Sequence, residues 1–155
     1  MKSILYIGQF CIITILSYFH AQASGYNKST LKGTWQITKV DYDNNYKIKP
    51  FDEGVDIKCF IGSEWKFVPN NNTGSYSVSN ADCQNNILTL FKFNVTPNGE
   101  FSFKKTPKGI KAKTIIGGYF LQLQNQNQDS FELVQSLNDD STPVNVLYYF
   151  KKITK

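Results

Sequence analysis

Phe91-Lys92-Phe93-Asn94-Val95-Thr96-Pro97-Asn98-Gly99-Glu100-Phe101-Ser102-Phe103 carries rings at every second position on both sides of Pro97-Asn98-Gly99. Side chains alternate between the two faces of a strand, so this spacing sets Phe91 with Phe93, and Phe101 with Phe103, on one face of a half-buried hairpin. Pro fixes φ, Asn tolerates the left-handed region and Gly enters it freely, which is what a tight reversal requires.

The same alternation continues outward in both directions. From Leu31 on, no window of eleven residues or more keeps a helical stripe. Period two predicts strands over 33–43, 62–69, 74–80, 86–94, 99–105, 112–125, 129–136 and 143–153, in which Leu88 and Leu90 oppose Phe91 and Phe93. Pro69-Asn70-Asn71-Asn72-Thr73-Gly74 and Asn138-Asp139-Asp140 are further turn signals, and Asn125–Asp129 is a short polar connection. Eight successive antiparallel strands joined by tight turns favour an all-β, eight-stranded up-and-down barrel, because closure leaves no unpaired edge. A two-sheet sandwich needs long crossovers that this spacing does not provide. Residues 44–61 form the one long connection, expected to fold over one end of the barrel as a lid with a helical turn.

The whole chain has 155 residues, 41% hydrophobic and 15% aromatic, enough for one domain with a substantial core. Residues 1–23 read as a secretory signal peptide: Met1-Lys2, an apolar run from Ile4 to Phe19, and the small-x-small site Ala21-Gln22-Ala23. Cleavage near Ala23 leaves residues 24–155 as the barrel domain, secreted or periplasmic. His20, the single His, leaves with the leader, as do Met1 and Cys11. Cys59 and Cys83 remain, and in an oxidising compartment such a pair reads as one disulfide. Its loop of about 25 residues stabilises the fold by roughly 3.5 kcal/mol on the chain-entropy account.

Leu31-Lys32-Gly33-Thr34-Trp35 contains a Gly-x-Trp motif that resembles the opening signature of lipocalins. Together with Cys59-Phe60-Ile61-Gly62-Ser63-Glu64-Trp65-Lys66-Phe67-Val68-Pro69-Asn70, then Gly74-Ser75-Tyr76, Cys83, and the final run Val144–Lys152, the chain looks like the lipocalin-like secreted proteins of Bacteroidota over roughly residues 30–153. The resemblance implies a calycin-type barrel and a small apolar ligand. It also implies structural roles for Gly33 and Trp35, with Trp35 plugging the closed end. Better-studied lipocalins place an Arg late in the barrel over that Trp; here Lys151 or Lys152 has to take its place.

An eight-stranded barrel has room for side chains or for one small ligand. The apolar parity points Phe67, Tyr76, Phe91, Phe103, Tyr119 and Tyr148 inward as candidate ligand contacts, with Ile37, Val78, Phe93, Leu121, Phe131, Leu133 and Val146 beside them. These side chains either fill the lumen or line a cavity, and the sequence leaves both open. Trp65 reads as core.

Charge and composition narrow the chemistry. The chain holds 17 cationic residues, all Lys, against 12 acidic ones, for a net charge of +5. Without the guanidinium fork, nucleic-acid recognition is not expected. Without His in the exported part, Ser-His-Asp and Cys-His catalysis are closed, and no metal or cofactor site is expected. Asp52-Glu53 with Asp56, and Asp139-Asp140, read as solvated loop acids. Asp41-Tyr42-Asp43-Asn44-Asn45 lacks the Gly and the later ligands of a calcium loop. Lys104, Lys105, Lys108, Lys111 and Lys113 read as a solvated run that blunts a strand edge, or as a flank of the barrel mouth that attracts a carboxylate, a phosphate or an anionic membrane surface. A protein partner for the loops is the alternative to a ligand in the lumen. Sequons at Asn27, Asn71 and Asn94 are what an Asn-rich chain produces by chance.

Overall fold

The computed structural model describes residues 25–78, 83, 87–139 and 142–153, so the segment read as a leader lies outside it. Eight strands pair in chain order and close on themselves: β1 (Gly33–Asp41), β2 (Glu64–Val68), β3 (Thr73–Val78), β4 (Ile87–Val95), β5 (Glu100–Lys105), β6 (Tyr119–Gln124), β7 (Ser130–Asp139) and β8 (Thr142–Lys152). Every neighbouring pair is antiparallel, and β1 against β8 completes the ring. The barrel expected from period two is therefore the one observed, with no second sheet among the described residues. No helix among the described residues is long and apolar enough to cross a membrane.

Parity decides what fills it. Phe91 and Phe93 face Phe101 and Phe103 across the Pro97-Asn98-Gly99 hairpin and are buried, whereas Leu88 and Leu90 stand outside. Gly99 takes φ +84 in that turn, as its position demands. Gly74 has a different role from the one its turn context suggests. Asn72 supplies the left-handed residue (φ 53), and Gly74 lies in β3, where a Cβ would sit 2.2 Å from the Phe91 ring. β1 is irregular between Ile37 and Lys39, so that Trp35, Ile37 and Val40 all face the core despite the broken parity.

One expected strand is much shorter. Residues 112–118 do not extend β6: Ala112–Thr114 form a 3-10 turn and Ile116 is fully exposed. The lysine-rich start offers no inward apolar row, and Gly117-Gly118 supplies no side chains to pack.

The two ends of the barrel differ. At one, the 3-10 turn Lys28–Leu31 precedes β1, and the Trp35 indole N–H donates to the Leu31 carbonyl at 2.8 Å. Phe131 meets the Trp35 ring edge-on at 4.7 Å, and the Lys152 ammonium lies 5.1 Å from its centroid. Lys152, rather than Lys151, thus covers the tryptophan. At the other end, the connection between β1 and β2 turns inward through two 3-10 turns, Pro50–Asp52 and Ile57–Phe60. Cys59, in the second turn, is disulfide-bonded to Cys83, which fastens this connection to the one between β3 and β4.

Candidate functional site

The inward-folded connection places a side chain of its own in the lumen. Phe51 is 3% exposed, and its ring lies 5.1 Å from Phe103, 5.3 Å from Tyr119, 5.6 Å from Tyr148, 5.5 Å from Phe60 and 6.0 Å from Trp65. The backbone reaches this position only by placing two successive residues in the left-handed region, Phe51 at φ 57 and Asp52 at φ 53. For residues other than Gly this costs on the order of 1–3 kcal/mol each, so other contacts must hold the segment down.

Those contacts are polar and come from the strands. Glu53, whose side chain is 10% exposed, accepts through one carboxylate oxygen from the Tyr76 hydroxyl, from the Thr89 hydroxyl at 3.0 Å and from the Lys105 ammonium at 3.3 Å. Lys105 also donates to the Phe51 carbonyl at 2.7 Å, and the Tyr119 hydroxyl donates to Asp52 at 2.6 Å. The donors follow from register. Tyr76 pairs with Thr89 across β3 and β4, and Lys105 pairs with Phe91 across β4 and β5, so all three sit on inward positions at the mouth. Burial, reinforced by the bond to Glu53 and its charge, pushes the Tyr76 hydroxyl far above its ordinary pKa. Burial and the bond to Asp52 do the same to Tyr119, and burial alone does so to Tyr148, whose hydroxyl donates to Gln135 at 2.9 Å.

The six ring positions singled out by parity fall into layers. Phe103, Tyr119 and Tyr148 touch Phe51, and Tyr76 holds Glu53. Phe91 lies one layer down, against Trp65, Tyr76 and Phe103, and Phe67 is deeper still, against Phe93, Phe101 and Phe131. Tyr119 is only half-buried, because it stands at the rim. Trp65 is core, stacked on Tyr76 at 4.3 Å with its indole N–H on the Ser63 hydroxyl.

Two expectations are corrected here. Glu53 is not a solvated loop acid, because three strand donors enclose it; Asp56 is exposed as expected, accepting from the Lys58 backbone N–H at 2.9 Å. Lys105 does not belong to the solvated lysine run, since its parity with Phe103 turns it inward. Asp41 accepts from the Lys39 ammonium and from the Tyr149 hydroxyl. The residues of the mouth that alternation of apolar residues could not reveal are Phe51, Asp52, Glu53, Thr89 and Lys105. For Thr89 and Lys105 a signal existed, since each continues the inward row of its strand.

No family model matches the chain, and no curated protein does. Among solved structures, the bovine lipocalin allergen Bos d 2 is similar in backbone course, with a TM-score of 0.49 and 13% identity over 84% of this chain and 77% of that one. The fold is a closed, eight-stranded antiparallel up-and-down barrel, which stands on the sequential strand pairing and the β1–β8 closure, with the Trp35 plug under Lys152.

Proposed function

We propose that this chain is a secreted or periplasmic, non-enzymatic binding protein that takes a small apolar or amphipathic ligand into the mouth of the barrel. The observation that carries the reading is Phe51. It fills lumen space from a connecting segment rather than from a strand, so lifting that segment opens a site walled by Phe103, Tyr119, Tyr148 and Trp65 without breaking the barrel. Pockets of this kind combine apolar walls with a few fixed polar groups, here Tyr76, Thr89 and Lys105. The Cys59–Cys83 bridge supports an oxidising compartment, and export would remove residues 1–23. N-terminal mass analysis of the exported protein is expected to find a start near Ser24.

Fluorescence titration with N-phenyl-1-naphthylamine tests the binding. Phe51→Ala is expected to take up the probe saturably, one per chain, and adding Phe103→Trp or Tyr119→Trp is expected to abolish uptake. Absence of saturable uptake by both the unaltered chain and a folded Phe51→Ala variant would contradict the reading.

A filled barrel acting through its loops on a protein partner is the second reading. It is favoured by the exposed Ile116 and Phe120, which flank an open groove of about 350 Å³ outside the barrel beside Lys92 and Lys104. Recovery of a stable partner that is lost on Phe120→Ser, with no probe uptake, would select it.

A further inference from the structure

Resting on the binding site just described, we propose that the ligand is an apolar carboxylate and that the Phe51–Glu53 segment is its internal surrogate: Phe51 stands where the apolar body goes and Glu53 where the head group goes. The argument begins with where the donors reside. The Tyr76 hydroxyl, the Thr89 hydroxyl and the Lys105 ammonium belong to three adjacent strands, β3, β4 and β5, and all meet one oxygen of a carboxylate supplied by the loop. Strand positions are fixed by the barrel's hydrogen bonds, whereas the loop is held by those donors, by the Tyr119–Asp52 bond and by the packing of Phe51 and of Ile48 and Val55 around it, while bearing left-handed strain at two residues. When the segment lifts, the donors remain.

What remains is a half-enclosed cation with two hydroxyls and no anion beside it. A charge left without its partner in such a place is costly, so the vacated site selects for an anion over a neutral molecule. One ammonium with two hydroxyls matches a singly charged carboxylate. A phosphate dianion would bring a second negative charge with no second cation in the set. The apolar end follows from the same geometry, because Phe51 lies two residues before Glu53 and its ring occupies the space between Trp65, Phe103 and Tyr148. A ligand with a ring or a chain behind its carboxylate reproduces both contacts and relieves the strain. In the free chain Glu53 then acts as a competitor, which lowers affinity for weak ligands and excludes neutral ones.

The test uses the exported chain with 11-(dansylamino)undecanoic acid and its methyl ester, probes that differ only in the charge at the head group. Glu53→Ala is expected to bind the acid about tenfold or more tightly than the unaltered chain does, and about tenfold more tightly than it binds the ester. Adding Lys105→Met is expected to erase the preference for acid over ester while leaving ester binding in place. Glu53→Gln, which keeps the side-chain shape, serves if the alanine variant does not fold, and is expected to show the same acid preference. Equal binding of acid and ester in Glu53→Ala and Glu53→Gln, with Lys105 intact, would overturn the carboxylate while leaving an apolar site standing. Acid preference that survives Lys105→Met would overturn the assignment of the donors. Failure of both probes in folded variants would overturn the site and the surrogate together.

Discussion

The barrel is stoppered at both ends by a large aromatic side chain, and the two stoppers are built on opposite principles. Trp35 is part of a strand, is fully buried, and is fixed by a backbone carbonyl, an edge-on Phe131 ring and a cation from the last strand. The surrounding turns are tied to each other as well: the Tyr26 N–H bonds the Pro97 carbonyl, and Gln126 exchanges bonds with the Asn27 backbone. Phe51 is equally surrounded by rings, but it hangs from a loop in a strained backbone and is held by side-chain bonds to Glu53 and Asp52. Burial alone therefore does not separate a permanent plug from a removable one. The origin of the side chain and the strain behind it do.

The sharpest way to break this comparison is to truncate both plugs. Trp35→Ala is expected to cost about 3–5 kcal/mol of unfolding free energy in urea, as for other large core deletions. Phe51→Ala is expected to cost about 2 kcal/mol or less, because freeing the left-handed backbone offsets part of the lost packing. Equal losses would remove the distinction. Next in size is the bridge: Cys59→Ser with Cys83→Ser is expected to lower stability by roughly 3.5 kcal/mol in the same assay, leaving the Trp35 fluorescence environment native at low urea.

Alkali is expected to act on the end stoppered by Phe51. Tyr76 and Tyr148 have folded-state pKa values raised above the unfolded value of 10, so their contribution is complete below pH 10 and is lost as the pH rises beyond it. Each is expected to steepen the loss by up to about 1.4 kcal/mol per pH unit, and Tyr148→Phe to flatten the curve by one such increment in urea melts between pH 9 and 11. The smallest effect belongs to the closed end, where Lys152→Met removes only a cation over a ring and is expected to cost about 0.5–1 kcal/mol.

Much of this fold was legible in the sequence because alternation is a local property. The Phe91–Phe103 hairpin and the inward rows of β7 and β8 follow from parity, whereas the Trp35 plug follows from the resemblance carried by its Gly-x-Trp motif. The overextended start of β6 shows where that logic ends, since Lys111–Thr114 keep the length of a strand without a face to bury. The site was half legible. The rings of Phe103, Tyr119 and Tyr148 lie on their expected parity, yet what meets them is Phe51, whose place depends on two unfavourable φ values that no residue type in Pro50-Phe51-Asp52-Glu53 announces. Glu53 and Lys105 lie 52 residues apart along the chain, and only barrel closure and register bring them together.

Nuclear Overhauser contacts of the Phe51 ring, followed while 11-(dansylamino)undecanoic acid is titrated into the unaltered chain, test the central claim most directly. Contacts from Phe51 to Phe103 and Tyr148 are expected in the free chain and are expected to vanish at saturation, while those from Trp35 to Phe131 persist. Phe51 contacts that survive saturation, or a titration that never saturates, would contradict it.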